Sequence, residues 1–383
     1  MAAGRLRGAR GDEAGRMSAG RAQISMSCIT PAAGCNDPAN RVWYPECYAA
    51  TPSAVTDWSP YIQCALNDAA AAGGGTVLLG ARGISRYAYA STIEVGAYGG
   101  GVSVTLKGQS LSAMLSAANP FASAGTNSMI VNPGAVLDTL TILGNNASRS
   151  DGARVTGVAF GGNVGSGHAR LTNVSIQRFT EYGVNFGAGR ISCTVSGCVI
   201  SRNGNSGILV GGVGSTGNSV LNNTIYENGA DGIDNGGGSN CTISGNYCYG
   251  NGWRNPGGGD NHGILLYASG SISCNNNKIL SNICYDNYGS GIKAYSDPRN
   301  AGGLYGNTID SNECHHNGAD GITVEACANT LVTKNHLHDN FKAGLYGRSA
   351  LPPGNTASGN TWCRNGVSDV DAAGWKLMGN HAC

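Results

Sequence analysis

The chain has 383 residues, 62 of them Gly, and only 12% charged side chains, roughly half the charge of an ordinary domain. The formal net charge is +1, with no basic run beyond the first 21 residues, which argues against nucleic acid as a partner. No apolar run reaches the length of a membrane span, and the 14 Cys show no zinc-like spacing.

Residues 1–25 are rich in Arg, Gly and Ala and lack the apolar stretch of an ordinary secretory signal. Residues 26–56 hold Cys, Pro and the aromatics Trp43, Tyr44 and Tyr48 without periodicity, so residues 1–56 read as a tail and an irregular Cys-containing arm. Cys28, Cys35, Cys47 and Cys64 could form two disulfides in an oxidising compartment, by any of three pairings. From Asp57 a helix is expected. Asp57 or Ser59 would cap it, Pro60 suits its first turn, and Tyr61, Ala65, Leu66 and Ala69 form an apolar face. Gly73–Gly75 end it, and Thr76–Leu79 read as a strand. Residues 57–80 would thus cap a domain extending to residue 383.

Residues 81–139 are strand-rich and less regular, with good alternation at Thr92–Val95 and Val102–Leu106. From residue 140 to 365 one pattern returns: Asn, any residue, an apolar residue, two of any kind, Asn. The apolar positions are Ile142, Ile176, Ile200, Ile225, Cys248, Cys284, Cys314, Leu337 and Trp362. A Gly before an apolar residue follows at Gly157, Gly183, Gly207, Gly232, Gly263, Gly291, Gly321 and Gly344, at intervals of 23 to 31 residues. A repeat of that length marks a solenoid. Its apolar residues alternate with strand period (Val184 and Phe186, Ile264 and Leu266, Ile322 and Val324) and leave no helix between repeats. The expected fold is all-β: a single-stranded parallel β-helix with an N-terminal capping helix. The Asn residues fall at turns, where Asn tolerates left-handed backbone and can bond the Asn of the next coil. Cys248, Cys284 and Cys314 sit in the inward column as small hydrophobes. Residues 366–383 break the pattern and are expected to cap the far end, with Cys363 and Cys383 a further candidate pair.

This pattern resembles the right-handed parallel β-helix proteins of the pectate lyase-like superfamily, and the Asp57–Leu79 passage resembles the opening of tailspike β-helices. Insertions at 146–156 and 252–262 leave one corner, and a third, at 296–303, leaves another. Insertions on a solenoid gather where ligands bind, and a long groove suits a polysaccharide.

Stacking in register makes columns of equivalent residues ~5 Å apart. Ionisable groups concentrate on four consecutive coils: Asp231 and Asp234, then Asp260 and His262, then Lys293, then Asp320 and Glu325. The same coils supply Trp253, Arg254, Tyr267 and Tyr295 for sugar contacts. The arrangement resembles polygalacturonase-type hydrolases, whose motifs Asn-Thr-Asp-Gly, Asp-Asp, Gly-His-Gly and Arg-Ile-Lys lie on successive coils. Asn228–Asp234 looks like the first, Asp260–Gly263 like a blend of the second and third, and Gly291-Ile292-Lys293 like the fourth without its Arg. The resemblance implies Asp231 as proton donor, Asp260 as the base that activates water, His262 as tuner, and Lys293 as the cation for a sugar carboxylate. Asp234, Asp320 and Glu325 would line the substrate. Hydrolysis would need no cofactor. Lyase chemistry would instead use Lys293 as base, with Asp231, Asp234 and Asp260 holding Ca²⁺ against a uronate. C5 epimerisation needs a similar acid and base. A non-catalytic glycan-binding rod, a phage tail component or surface adhesin, is the alternative from another class. Asn-Gly-Ala-Asp-Gly-Ile recurs at 317–322, so Asp231, and Asp320 still more, are open to a turn role. His315, His316, His336 and His338 form a patch on another face, open to solvent or to a metal. The expected partner is a uronate-containing polysaccharide, the expected setting extracellular, cell-surface or virion-associated, and the expected state a monomer or homotrimer.

Overall fold

Alternating inward apolar residues are stacked in three columns, one for each face of a rod. The computed structural model describes residues 28, 30–118, 127–145, 154–163, 165, 167–254, 261–270, 272–297, 303–348, 354–372 and 374–383. Its strands form three parallel sheets of 13, 12 and 11 strands. Each coil contributes one short strand to each sheet, so the chain is a parallel β-helix. Thirteen rungs at ~4.8 Å give a rod about 58 Å long.

The 12-stranded sheet carries the apolar column read from the sequence, with Ile200, Ile225, Cys248, Cys284, Cys314 and Leu337 in direct register and fully buried. Val195, Val220, Ile243, Ile279, Ile309 and Val332 fill the 13-stranded sheet. Ile208, Ile233, Ile264, Ile292 and Ile322 fill the 11-stranded one. Burying each such side chain contributes roughly 1.5–3 kcal/mol.

The two Asn positions of the repeat form two ladders. In one, the Nδ2 amides of Asn203, Asn228, Asn251, Asn287, Asn317 and Asn340 each donate to the Oδ1 of the next, ending on Asn365. In the other, Asn223, Asn246, Asn282, Asn312, Asn335 and Asn360 do the same, ending on Asn380. Each Oδ1 also accepts a backbone N–H from the coil before, as Asn251 does from Asn228 at 3.1 Å. At its start the first ladder accepts the Phe179 N–H, and at its end Asn365 donates to the carboxylate of Asp369 at 2.9 Å. The left-handed residue of each corner is not the Asn but its predecessor: Arg202, Glu227, Asp286, His316, Asp339 and Arg364 have φ between 51° and 58°. The ladder fixes the Asn, so its neighbour takes the turn. The repeating Gly answers the same packing. A Cβ on Gly232 would lie 2.6 Å from the Gly263 carbonyl and 2.9 Å from Asn251 Nδ2.

The N-terminal end is closed as expected by one helix, α1 (Ser59–Ala71), with Pro at its start. Trp58 is the capping position, without a side-chain cap, while Asp57 accepts the Ser59 N–H. The buried face uses Ile62 with Ala65, Leu66 and Ala69, and Tyr61 is only half-buried. Within the arm, Val42–Trp43 pairs with Gly75–Leu79 as the first rung of its sheet. The cysteine pairing left open by the sequence is Cys28–Cys64 and Cys35–Cys47. At the other end the stretch expected to break the repeat adds a last strand to each sheet, at Ser368–Asp371, Lys376–Met378 and His381–Ala382. Cys363–Cys383 ties it down.

Candidate functional site

The 11-stranded sheet positions the site. Its strands Ile264–Ala268, Ile292–Ser296, Ile322–Glu325, Ala343–Arg348 and Ser368–Asp371 lie side by side. Period-2 alternation turns Lys293, Thr323, Tyr346 and Asp371 outward in one column. Tyr267, Tyr295 and Glu325 form a second. At the corner before these strands, the residues preceding the Gly form a third: Asp231, His262, Ser290, Asp320 and Ala343.

The corner column is a chain of side chains bonded to the backbone of the following coil. Asp231 is fully buried and its Oδ1 accepts the His262 N–H at 2.7 Å. His262 Nδ1 accepts the Ser290 N–H at 2.9 Å, so the neutral ring carries its proton on Nε2. Asp320 Oδ1 accepts the Ala343 N–H at 3.0 Å, and its Oδ2 accepts the Thr323 hydroxyl at 2.8 Å. Ser290 Oγ lies 2.8 Å from Thr323 Oγ1. Both occurrences of the Asn-Gly-Ala-Asp-Gly-Ile motif thus bond across coils, and Asp320 bonds within its own coil as well. Gly289 makes this fit possible, since a Cβ there would lie 2.1 Å from Asn261 Oδ1 and 2.6 Å from His262 Nδ1.

A cleft of about 490 Å³ opens beside this column. His262, Lys293, Asp320 and Glu325, all expected from the sequence, line it together. Lys293 Nζ lies 3.6 Å from Glu325 Oε2 and 5.3 Å from the centre of the Tyr295 ring. Tyr267 and Tyr295 stack on each other at 5.9 Å along the same sheet. Among the other lining residues, Tyr288, Lys342, Tyr346 and Asp371 carry hydroxyl, ammonium or carboxyl groups that the sequence reading did not assign to a site. Tyr346 is legible as a column position, and Asp371 lies in the last rung, beyond the residues where the sequence repeat holds. Lys342 precedes the corner column by one residue, a place the pattern leaves free.

Asp231 and Asp234 do not line the cleft, and Asp234 is 1% exposed. Trp253 and Arg254 lie at the corner two coils away from Gly204. The Trp253 indole N–H donates to the Glu227 carbonyl, and Arg254 reaches the Gly204 carbonyl at 3.1 Å. Arg254 also stacks over the Trp253 ring. Asp260, the expected base and the third member of the expected Ca²⁺ set, lies outside the described residues, as do 146–153, 255–259 and 298–302 of the three insertions. A smaller cavity of about 330 Å³, lined by glycines with Pro133, His168 and Ile191, gathers no comparable set of ionisable groups.

Residues 156–302 match the family described as "Right handed beta helix region". No curated protein sequence matches the chain. Among solved structures, the A-module of the mannuronan C-5 epimerase AlgE4 from Azotobacter vinelandii is 19% identical, with 88% of this chain and 95% of that one covered and a TM-score of 0.67. The AlgE6 A-module from the same organism is 18% identical, with 89% and 99% covered and a TM-score of 0.69. The Dettilon tailspike protein is 16% identical, with 88% and 68% covered and a TM-score of 0.61. At such identities the likeness establishes the fold, a right-handed parallel β-helix.

Proposed function

We propose that the cleft holds a uronate-containing polysaccharide running along the rod, and that the chain acts on it by proton transfer at the sugar ring, as an epimerase or a lyase. The observation that carries this reading is the placement of Lys293, Lys342 and Tyr346 in one cleft where two of the three lining carboxylates, Asp320 and Glu325, are already engaged. Asp320 is bonded through both oxygens and Glu325 faces Lys293. Hydrolysis of a glycosidic bond asks for two carboxylates facing the bond. Proton abstraction beside a uronate carboxylate asks instead for a cation against that carboxylate, a base and an acid.

In this reading Lys342 neutralises the sugar carboxylate and Lys293, as the free amine, takes the C5 proton and becomes the ammonium, with Glu325 holding its arm in place. Tyr346 is the acid. Reprotonation on the opposite face gives the C5 epimer. Departure of the O4 substituent instead leaves a C4–C5 double bond, with the proton from the acid passing to the leaving oxygen. The fold shared with two mannuronan C-5 epimerase modules supports a uronate polymer as the substrate class. The three disulfides suit an oxidising, extracellular or surface setting. Asp231 and His262 act here by fixing the corner of the cleft.

The test is incubation of the protein, with and without Ca²⁺, with alginates, pectins and bacterial capsular glycans. Deuterium uptake at C5, ultraviolet absorbance of unsaturated products and new reducing ends would be followed together. Deuterium uptake or absorbance is expected, reduced by about 10²-fold or more in Lys293→Met. Reducing ends without absorbance would overturn proton transfer in favour of hydrolysis. Binding without any chemical change would make the chain a glycan-binding rod.

A further inference from the structure

On a different face from the cleft, the 12-stranded sheet carries a row of stacked rings. Tyr226, Tyr249, Tyr285, His315 and His338 occupy one outward column, with neighbouring centroids 4.8–5.1 Å apart. Beside it, Glu313 and His336 are register partners on adjacent strands. His336 and His338 flank the inward Leu337, so both point outward from one strand. Two coils therefore bring one carboxylate and two imidazoles to a single spot.

We propose that Glu313, His336 and His338 form a site for a first-row divalent transition-metal ion, of which Zn²⁺ is the probe. One ligand atom from each lies within 4.8 Å of the others. Glu313 Oε1 is 3.2 Å from His338 Nε2 and 4.0 Å from His336 Nδ1. Ligand atoms at the corners of a tetrahedral zinc site are about 3.3 Å apart, given bonds of about 2.0–2.1 Å, so small side-chain rotations close the set. Two imidazoles and one carboxylate are a donor set that suits zinc and its neighbours, and three protein ligands leave a position open to water.

The surroundings are arranged as metal-bound histidines require. His338 Nδ1 lies 2.8 Å from Asp339 Oδ2, and Arg364 clamps Asp339 through both oxygens at 2.7 and 2.8 Å. A carboxylate on Nδ1 fixes the ring's tautomer and turns Nε2 toward the ion. His338 is the least exposed of the three, at 14% against 40% for Glu313 and 49% for His336. Its ring is held flat against His315. This is more order than a solvated strand surface needs, and the proton-transfer chemistry on the other sheet uses none of it.

The experiment is calorimetric titration of the chelator-treated full chain with Zn²⁺, alongside Co²⁺ as a spectroscopic substitute. One Zn²⁺ per chain is expected, with the visible absorbance of low-coordinate Co²⁺. Binding should weaken at least tenfold in His336→Ala and in His338→Gln. Asp339→Asn, which touches no ion, should weaken it by 10- to 100-fold. His168→Ala, remote from the cluster, should bind as wild type. Circular dichroism of each variant separates lost binding from lost folding, and Glu313→Gln supplies a second isosteric probe. Absence of stoichiometric binding by the folded wild type, or undiminished binding by the folded His336→Ala and Glu313→Gln variants, would overturn the proposal.

Discussion

At Glu46 a buried carboxyl meets the Tyr87 hydroxyl, which has one proton and a second acceptor in reach, the Ile84 carbonyl at 2.7 Å. A protonated Glu46 resolves the conflict by donating itself, and burial raises its pKa above the usual carboxylate value. A folded state that holds this proton more tightly than the unfolded chain is favoured in acid. The contribution is complete below the unfolded pKa near 4.5 and is lost as pH rises through the raised folded value. Glu46→Gln is therefore expected to raise the melting temperature at pH 7, with the difference vanishing below pH 4.5; melts across that range check it. The free cysteines carry another expectation at this scale. All eight are buried, and burial pushes the Cys198 thiol up to about 12 and the Cys241 thiol up to about 11. They should resist an aromatic disulfide reagent in the native protein and react together in denaturant. The sequence placed Cys248, Cys284 and Cys314 correctly because inward periodicity alone decides their surroundings. It could not decide between a catalytic and a turn role for Asp231, since both put an Asp before a Gly. Only the bond to the His262 amide shows where that carboxylate is spent.

The coil is the element of this molecule, and its corners hold it to its neighbours. Asn287 is 1% exposed, and its Oδ1 accepts from both the backbone and the side chain of Asn251. Asn287→Ala would leave those two donors without their acceptor and remove the side-chain donor to the Cys248 carbonyl and Asn317 Oδ1, at a cost of about 2–4 kcal/mol. A fall in the urea midpoint of unfolding measures it. The left-handed corners behave oppositely. Ser281 sits at φ 52° just before a ladder Asn. A non-glycine residue there is strained by roughly 1–2 kcal/mol, so Ser281→Gly is expected to stabilise the rod by about 0.5–1 kcal/mol once the extra freedom of the unfolded chain is counted. The repeat, its strands and both Asn positions were readable because they recur in a fixed order. The residue that takes the left-handed turn was not, because Arg, Glu, Asp and His occupy it without a common chemistry. The same limit hid Lys342 and Asp371, which join the cleft by folding geometry and belong to no repeated motif.

For the whole molecule, contacts run almost entirely between successive coils, so stability is close to a sum along one axis. The ends are weakest in such an arrangement, and here both are tied: α1 and two disulfides at one, Cys363–Cys383 at the other. Under reducing conditions hydrogen exchange should quicken first in the strands Val42–Trp43, Lys376–Met378 and His381–Ala382. Strands between residues 199 and 338 should keep their protection. Uniform quickening along the chain would show instead that the rod opens as one unit.

The amide ladder also gives the rod a sense, like an arrow. Asn228, Asn251, Asn287, Asn317 and Asn340 each give one Nδ2–H to the next Asn Oδ1 and the other to a carbonyl of the coil before, so the amide-to-amide chain runs one way along the rod. The oxygen-terminated tail meets a backbone N–H at Phe179, and the hydrogen-terminated tip meets an anion at Asp369. A coil grafted beyond residue 365 would need to supply an acceptor for the Asn365 amide in place of Asp369.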